Sequence, residues 1–208
     1  MPQSGHVSQQ LVINLAVLVS GSGTTLQNLI DLIDRGELIA RIVKVIASRD
    51  GLGAEPRAAK AQLDYEVIRR CDLPSAEAFS DRIFAACDAA GADLVVCAGW
   101  LALLVIPARY EGRVINVHPS LLPKFGGKGM YGRHVHEAVL AAGQRESGCT
   151  VHFLDNQYDS GPILLQRRCA VLPDDDATTL AARVQAEERI ALPDAIRLIH
   201  GKSPRTSR

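Results

Sequence analysis

Two side chains in the stretch Val114-Ile-Asn-Val-His-Pro-Ser-Leu-Leu-Pro123 have the types and spacing of a small catalytic pair. Asn116 and His118 stand two apart. Side chains alternate along an extended strand, so the two face the same way if this stretch is one. Its composition favours that, because Val114, Ile115 and Val117 are β-branched and apolar. Pro119 then ends the strand: it has no N–H for the ladder and keeps His118 out of the helical region. An amide and an imidazole aimed together into a crevice can hold an oxyanion and move a proton. The same pair could instead be a polar strand end facing solvent.

A second candidate is Gly21-Ser-Gly-Thr-Thr25, between the apolar run 11–20 and a helical pattern with Leu26, Leu29, Ile30 and Ile33 on one side. Strand, glycine turn and helix together point backbone N–H groups at an anion. Thr24 or Thr25 is suited to cap the helix. Leu26 stands where a dinucleotide loop needs its third glycine, and no Gly-Lys-Ser/Thr follows, so a single phosphate monoester fits better than a dinucleotide or triphosphate. A tight turn with no ligand is the other reading. Trp100-Leu-Ala-Leu-Leu104 is very apolar for a connection; it is either core or a slot for a flat heterocycle read by backbone groups. Lys124-Phe-Gly-Gly-Lys-Gly-Met-Tyr-Gly132, with four glycines, is either a mobile lid or a plain connector. Asp159, before Ser160-Gly161-Pro162, is on its own an ordinary turn former. His134 and His136 are two apart on a predicted helix and do not share a face, which argues against a metal. His152 reads as a satisfied structural residue.

The elements that must position these groups follow from hydrophobic patterning. Strands are expected over 11–20, 41–48, 65–68, 94–98 and 114–118, with helices following the first, second and third. This alternation predicts an open, doubly wound, mostly parallel α/β sheet. Asn116 and His118 then fall at the carboxyl end of a parallel strand, where such sheets bind ligands. After a helix over 133–142, strands 148–154 and 163–171 have no helix between them, so they form a late antiparallel hairpin. The acidic run 174–176 opens a last helix with Leu180, Val184, Ala191, Ala195 and Ile199 on one face and a kink or break near Pro193. Glu188 on that helix is, by pattern alone, a solvated surface residue. Residues 1–10 are expected to be a flexible leader, 11–200 a single domain and 201–208 a disordered tail.

The chain has 208 residues, 23 basic against 23 acidic, and only nine aromatics. That balance offers no basic footprint for nucleic acid and little to stack bases on. Five cysteines, an odd number without C-x-x-C spacing, fit free thiols in a reducing compartment. No signal sequence or membrane-length apolar run is present, so a cytoplasmic protein without membrane partners is expected.

Asn116-Val-His118-Pro-Ser-Leu-Leu-Pro123, followed by Asp159-Ser-Gly-Pro162, resembles the signature of the folate-dependent formyltransferases. The resemblance runs from about Ile13 to about Ile196. Within that family it is strongest to the members that act on a phosphoribosylglycinamide in purine synthesis. It implies a Rossmann-like formyltransferase fold and small-molecule substrates. The formyl group would pass from 10-formyltetrahydrofolate, as co-substrate, to an amine, with no metal. By the same resemblance Asn116, His118 and Asp159 are catalytic. Gly21, Ser22, Gly23, Thr24 and Thr25 hold the acceptor phosphate, and Glu188 contacts its ribose. The folate lies against Leu101, Ala102, Leu103 and Leu104, with Asn116 and Asn156 also in contact. Family members often carry a folate-touching arginine where this chain has Ala76. A monomer or homodimer is expected. Another folate formyltransferase, a formyltetrahydrofolate hydrolase or a silent phosphate-binding module are the competing readings; the length leaves no room for the added domains expected of a tRNA formyltransferase or the hydrolase.

Overall fold

The structure, a computed structural model, describes residues 12–202; the expected leader and residues 203–208 of the expected tail lie outside that range. Seven strands form one sheet in the order β3-β2-β1-β4-β5-β6-β7. They are β1 (Ile13–Val19), β2 (Ala40–Ala47), β3 (Tyr65–Val67), β4 (Leu94–Ala98), β5 (Val114–His118), β6 (Glu146–Phe153) and β7 (Ile163–Ala170). The first five pair in parallel, and β6 and β7 continue the sheet antiparallel. The chain winds outward from β1 through β2 to β3, then returns across β1 to β4. The crevice between the carboxyl ends of β1 and β4 is therefore a topological switch point.

The apolar run of β1 is buried on both faces, and its alternation splits the core in two. Leu15, Val17 and Val19 meet one layer, made of α1 (Thr24–Asp34), α2 (Ala54–Lys60), α4 (Arg133–Ala141) and α5 (Ala177–Lys202). Ala16 and Leu18 meet the other, chiefly Phe79, Ile83, Phe84 and Cys87 of α3 (Ala76–Ala89). A strand buried on both sides has no polar face, which is why its hydrophobic pattern is continuous rather than alternating.

Three local expectations need correction. α1 is not capped by either threonine. Its N-cap is Gly23 in the left-handed region (φ 75°) with no side-chain cap, and Thr24 is already the first helical residue. A Cβ on Gly23 would also lie 2.6 Å from Cα of Ala54, so sterics select glycine there. The last helix does not break at Pro193; α5 runs through it as one helix of 26 residues. Its neighbours Ala191, Leu192, Ala195 and Ile196 are all fully packed, and that burial outweighs one missing hydrogen bond. β6 starts at Glu146, ahead of the glycine expected to open it.

Candidate active site

Asn116 and His118 end β5, and both line a cavity of about 870 Å³ at the carboxyl edge of the sheet. The antiparallel partner β6 sets His152 directly across from Asn116. Asp159 comes from the turn between β6 and β7, with a left-handed backbone (φ 54°). Gly161 lets that turn fold back on β6: a Cβ there would lie 1.9 Å from the carbonyl oxygen of Phe153. Three segments, β5, β6 and the turn between β6 and β7, thus converge on one wall.

The Asp159 carboxylate is the hub. Its Oδ2 accepts a hydrogen bond from the Gly127 N–H at 2.9 Å and lies 3.4 Å from Nδ1 of His118. Its Oδ1 lies 3.5 Å from Nε2 of His152. Burial alone would raise this carboxyl. His152 and His118, each able to pair with it when protonated, and the Gly127 N–H outweigh that and hold Asp159 below the usual carboxylate range. His118, only 3% exposed, is pushed the other way. Burial lowers its pKa, opposed by Asp159 and by its 2.8 Å hydrogen bond to the Phe125 carbonyl. The resting imidazole is therefore biased neutral with a carboxylate beside it, ready to take up a proton when one is offered.

His152 organises the amide. Its Nδ1 lies 3.0 Å from the Phe153 carbonyl, which must accept, so Nδ1 carries the proton. Nε2 is then an acceptor and takes a hydrogen bond from Nδ2 of Asn116 at 3.3 Å. This leaves the second Asn116 N–H free for a ligand. Below the pair, Thr150 clamps the β5–loop junction. Its Oγ1 accepts from Leu122 N–H and from the Gln166 side chain and donates to the Ser120 carbonyl, at 3.0, 2.9 and 2.7 Å.

The remaining expected residues divide. Gly21, Ser22, Gly23, Thr24 and Thr25 line the same cavity, as do Leu101, Ala102, Leu103, Leu104 and Glu188. The apolar segment is core in part and cavity lining in part. Trp100 stacks on Phe79 with ring centroids 6.0 Å apart and Leu104 is buried, whereas Leu101 is 51% exposed. Asn156 does not line the cavity. Its Oδ1 accepts from the Ile106 N–H at 2.8 Å and so fixes the end of that segment from behind. Glu188 is half-buried rather than solvated, and burial pushes its carboxyl up to about 7. His152, read from the sequence as structural, is brought to the site by strand register; Gln185, whose Nε2 lies 3.3 Å from Thr24 Oγ1, was not singled out from the sequence. The i, i+3 step from Gln185 to Glu188 was the available signal for the latter.

An Asn–His–Asp cluster at the carboxyl end of β5 and an uncapped glycine turn lining the same cavity bring together groups that can hold an oxyanion, move a proton and receive an anion. The sequence model of the Formyl transferase family matches residues 13–196, and the chain belongs to that family. It is similar to the trifunctional purine biosynthetic protein adenosine-3 of Drosophila pseudoobscura pseudoobscura, 41% identical over 189 residues. That match covers 89% of this chain but 14% of the relative, so the chain spans only about a seventh of such trifunctional proteins. Phosphoribosylglycinamide formyltransferase of Haemophilus influenzae is 35% identical over 176 residues, covering 84% of this chain and 81% of that one. Among solved structures, glycinamide ribonucleotide transformylase 1 of Symbiobacterium toebii superposes with a TM-score of 0.85 at 36% identity, covering 91% of this chain and 88% of its own.

Proposed function

We propose that this enzyme transfers the formyl group of 10-formyltetrahydrofolate to the glycinamide amine of 5-phosphoribosylglycinamide, in purine synthesis. The reading rests on one observation: Asn116, His118 and Asp159 meet in a cavity that also opens on the uncapped N-terminus of α1. The acceptor phosphate fits the N–H groups of Gly23 to Thr25, where the helix dipole favours negative charge. Gln185 and Glu188, on successive turns of α5, suit the phosphate and the ribose hydroxyls. The folate ring is assigned to the segment from Leu101 to Leu104.

The amine nitrogen attacks the formyl carbon, a C–N bond forms, and the carbonyl electron pair moves to oxygen. The free N–H of Asn116 is the donor to that oxyanion. The nitrogen sheds a proton towards His118, directly or through water, and Asp159 stabilises the imidazolium that results. The folate nitrogen gains a proton as its bond to the formyl carbon breaks. The reaction as written balances without a metal, and among the described residues no His, Cys, Asp and Glu cluster of metal-binding kind occurs. No helix among them is long and apolar enough to cross a membrane. We assign residues 11–200 to one catalytic domain working in the cytoplasm as a monomer or homodimer.

The test is formyl transfer followed by the appearance of tetrahydrofolate, with phosphorylated and dephosphorylated glycinamide riboside side by side. Turnover is expected with the first and a large loss with the second, because remote binding energy positions the amine. Equal rates would overturn the acceptor assignment, and no turnover with either would overturn the reaction.

A further inference from the structure

Four helices of eight or more residues are described, and their N-termini fall into two kinds. α3 is capped by Ser75, whose Oγ accepts from the Ala78 N–H at 3.1 Å. α5 is capped by Asp176, whose Oδ1 accepts from the N–H groups of Thr178 and Thr179, each at 2.8 Å. α1 and α4 begin at glycines, Gly23 and Gly132, without a side-chain cap and without an acidic residue in the first turn. Both uncapped ends line the cavity. They are set apart along α5. Gln185 meets Thr24 of α1, while Arg133 of α4 lies in the field of Asp176 at the start of α5. From Ala177 to Gln185 along a helix is about 12 Å.

The α4 end carries further donors. His136, in its second turn, is 5% exposed and part of the cavity wall, and its Nδ1 has no partner. Lys128 and Arg133 are the cavity's cationic side chains. Arg133 is held by Glu137 at 2.6 Å. The Lys128 side chain makes no ion pair or hydrogen bond among the described residues, although Asp155, Asp159 and Glu188 line the same space. Of those carboxylates, Asp159 is engaged by Gly127 and the histidines, and Asp155 by Ser160 and the Gln157 N–H. A helix N-terminus, an unpartnered buried imidazole and an unpaired lysine at one end of a cavity form a second seat for an oxyanion.

We propose that the N-terminus of α4, with Lys128 and His136, binds a carboxylate of the donor substrate, at a seat separate from that at α1. Resting on the formyl-transfer reading, which seats the acceptor phosphate at α1, the anion is a tail carboxylate of the folate. Lys128 is then a specificity-determining residue: it raises affinity for one substrate and leaves the chemical step untouched.

The experiment compares wild type with Lys128→Met, Lys128→Arg and the control Lys124→Met, whose lysine bonds Gln144 on the far side of the loop. KM and kcat are measured for mono- and polyglutamylated donors and for the phosphorylated acceptor. Lys128→Met is expected to raise the donor KM roughly tenfold, the worth of one charge-assisted hydrogen bond, with kcat and the acceptor KM nearly unchanged. Lys128→Arg should stay near wild type, as should the control. A donor effect that grows with glutamate number supports the seat; an effect confined to the acceptor would bring its phosphate here instead and overturn the assignment. An active wild type with both KM values unmoved in Lys128→Met would overturn it. An inactive wild type defeats the functional reading instead, and the seat is then read by NMR titration with inorganic phosphate and with γ-triglutamate. Amide shifts at Gly132 and Arg133 that vanish in Lys128→Met support the seat; none in the wild type overturns it.

Discussion

Glu188→Gln should stabilise the unliganded protein increasingly as pH rises from about 4.5 to about 7. Glu188 sits in the cavity wall, and burial pushes its carboxyl from 4.5 up to about 7. In the unfolded chain it titrates near the ordinary value. Its pKa is raised on folding, so the folded state binds the extra proton and stability is lost as pH rises from the unfolded value through the folded one. Below about pH 4.5 the wild type and the isosteric, permanently neutral Gln variant should unfold alike. Above pH 7 the full difference corresponds to about 3 kcal/mol. The group is half-buried and faces an open cavity, so water recovers part of that; about 1–2 kcal/mol is the expected gap. In a domain of this size such a gap moves the melting temperature by roughly 2–8 °C. The assay is thermal unfolding of both proteins from pH 5 to 8.5. The difference in melting temperature should open with increasing pH and flatten above 8. Parallel curves across the whole range would show that Glu188 is charged at little cost, and the burial argument would fail.

Other outcomes follow from the same geometry. Asn116→Ala should lower kcat by about 10²–10³, the loss typical of one oxyanion donor; a change under threefold in single-turnover rates would remove it from that role. Asp159→Asn should lower kcat severely, and combining it with His118→Ala should add little, because the pair works as a unit; multiplicative losses would mean two independent contributions. Thr24→Asp places a negative charge at the uncapped α1 terminus and should raise the acceptor KM strongly with donor KM intact, which initial-rate kinetics in both substrates would reveal. Gly161→Ala forces the Asp159 turn away from the Phe153 carbonyl, and urea unfolding should register a cost of about 2–4 kcal/mol; an unchanged midpoint would refute the close approach.

What the sequence made legible was whatever one element encodes by itself. The alternating sides of β5 put Asn116 and His118 together, and the unbroken apolar run of β1 announced a strand buried on both faces. The part it hid depends on register between elements. His152 looked like a core histidine because nothing local says that it will stand across from Asn116; that follows from β5 and β6 pairing antiparallel. Glu188 looked solvated because helical periodicity does not reveal a cavity beside the helix. Thr24 looked like a cap because the glycine before it was read as turn rather than as N-cap, a distinction that needs the backbone angles. Pro193 looked like a break because pattern alone cannot weigh one absent hydrogen bond against four buried neighbours.

The Thr150 clamp divides the segment after β5 into two parts of different character. From Ser120 to Gly127 the chain is tied down, by Thr150 and Gln166 at its start and by His118 and Asp159 through Phe125 and Gly127. From Lys128 to Gly132 none of those ties continues. Insertions or deletions in that second part should leave Asn116 and His118 in place, since the ladder of β5 and β6 and the Thr150 clamp hold them. Substrate preference can therefore drift, or be engineered, by rewriting five positions while the chemistry stays where it is. The segment behaves as an interchangeable fitting on a fixed reaction centre.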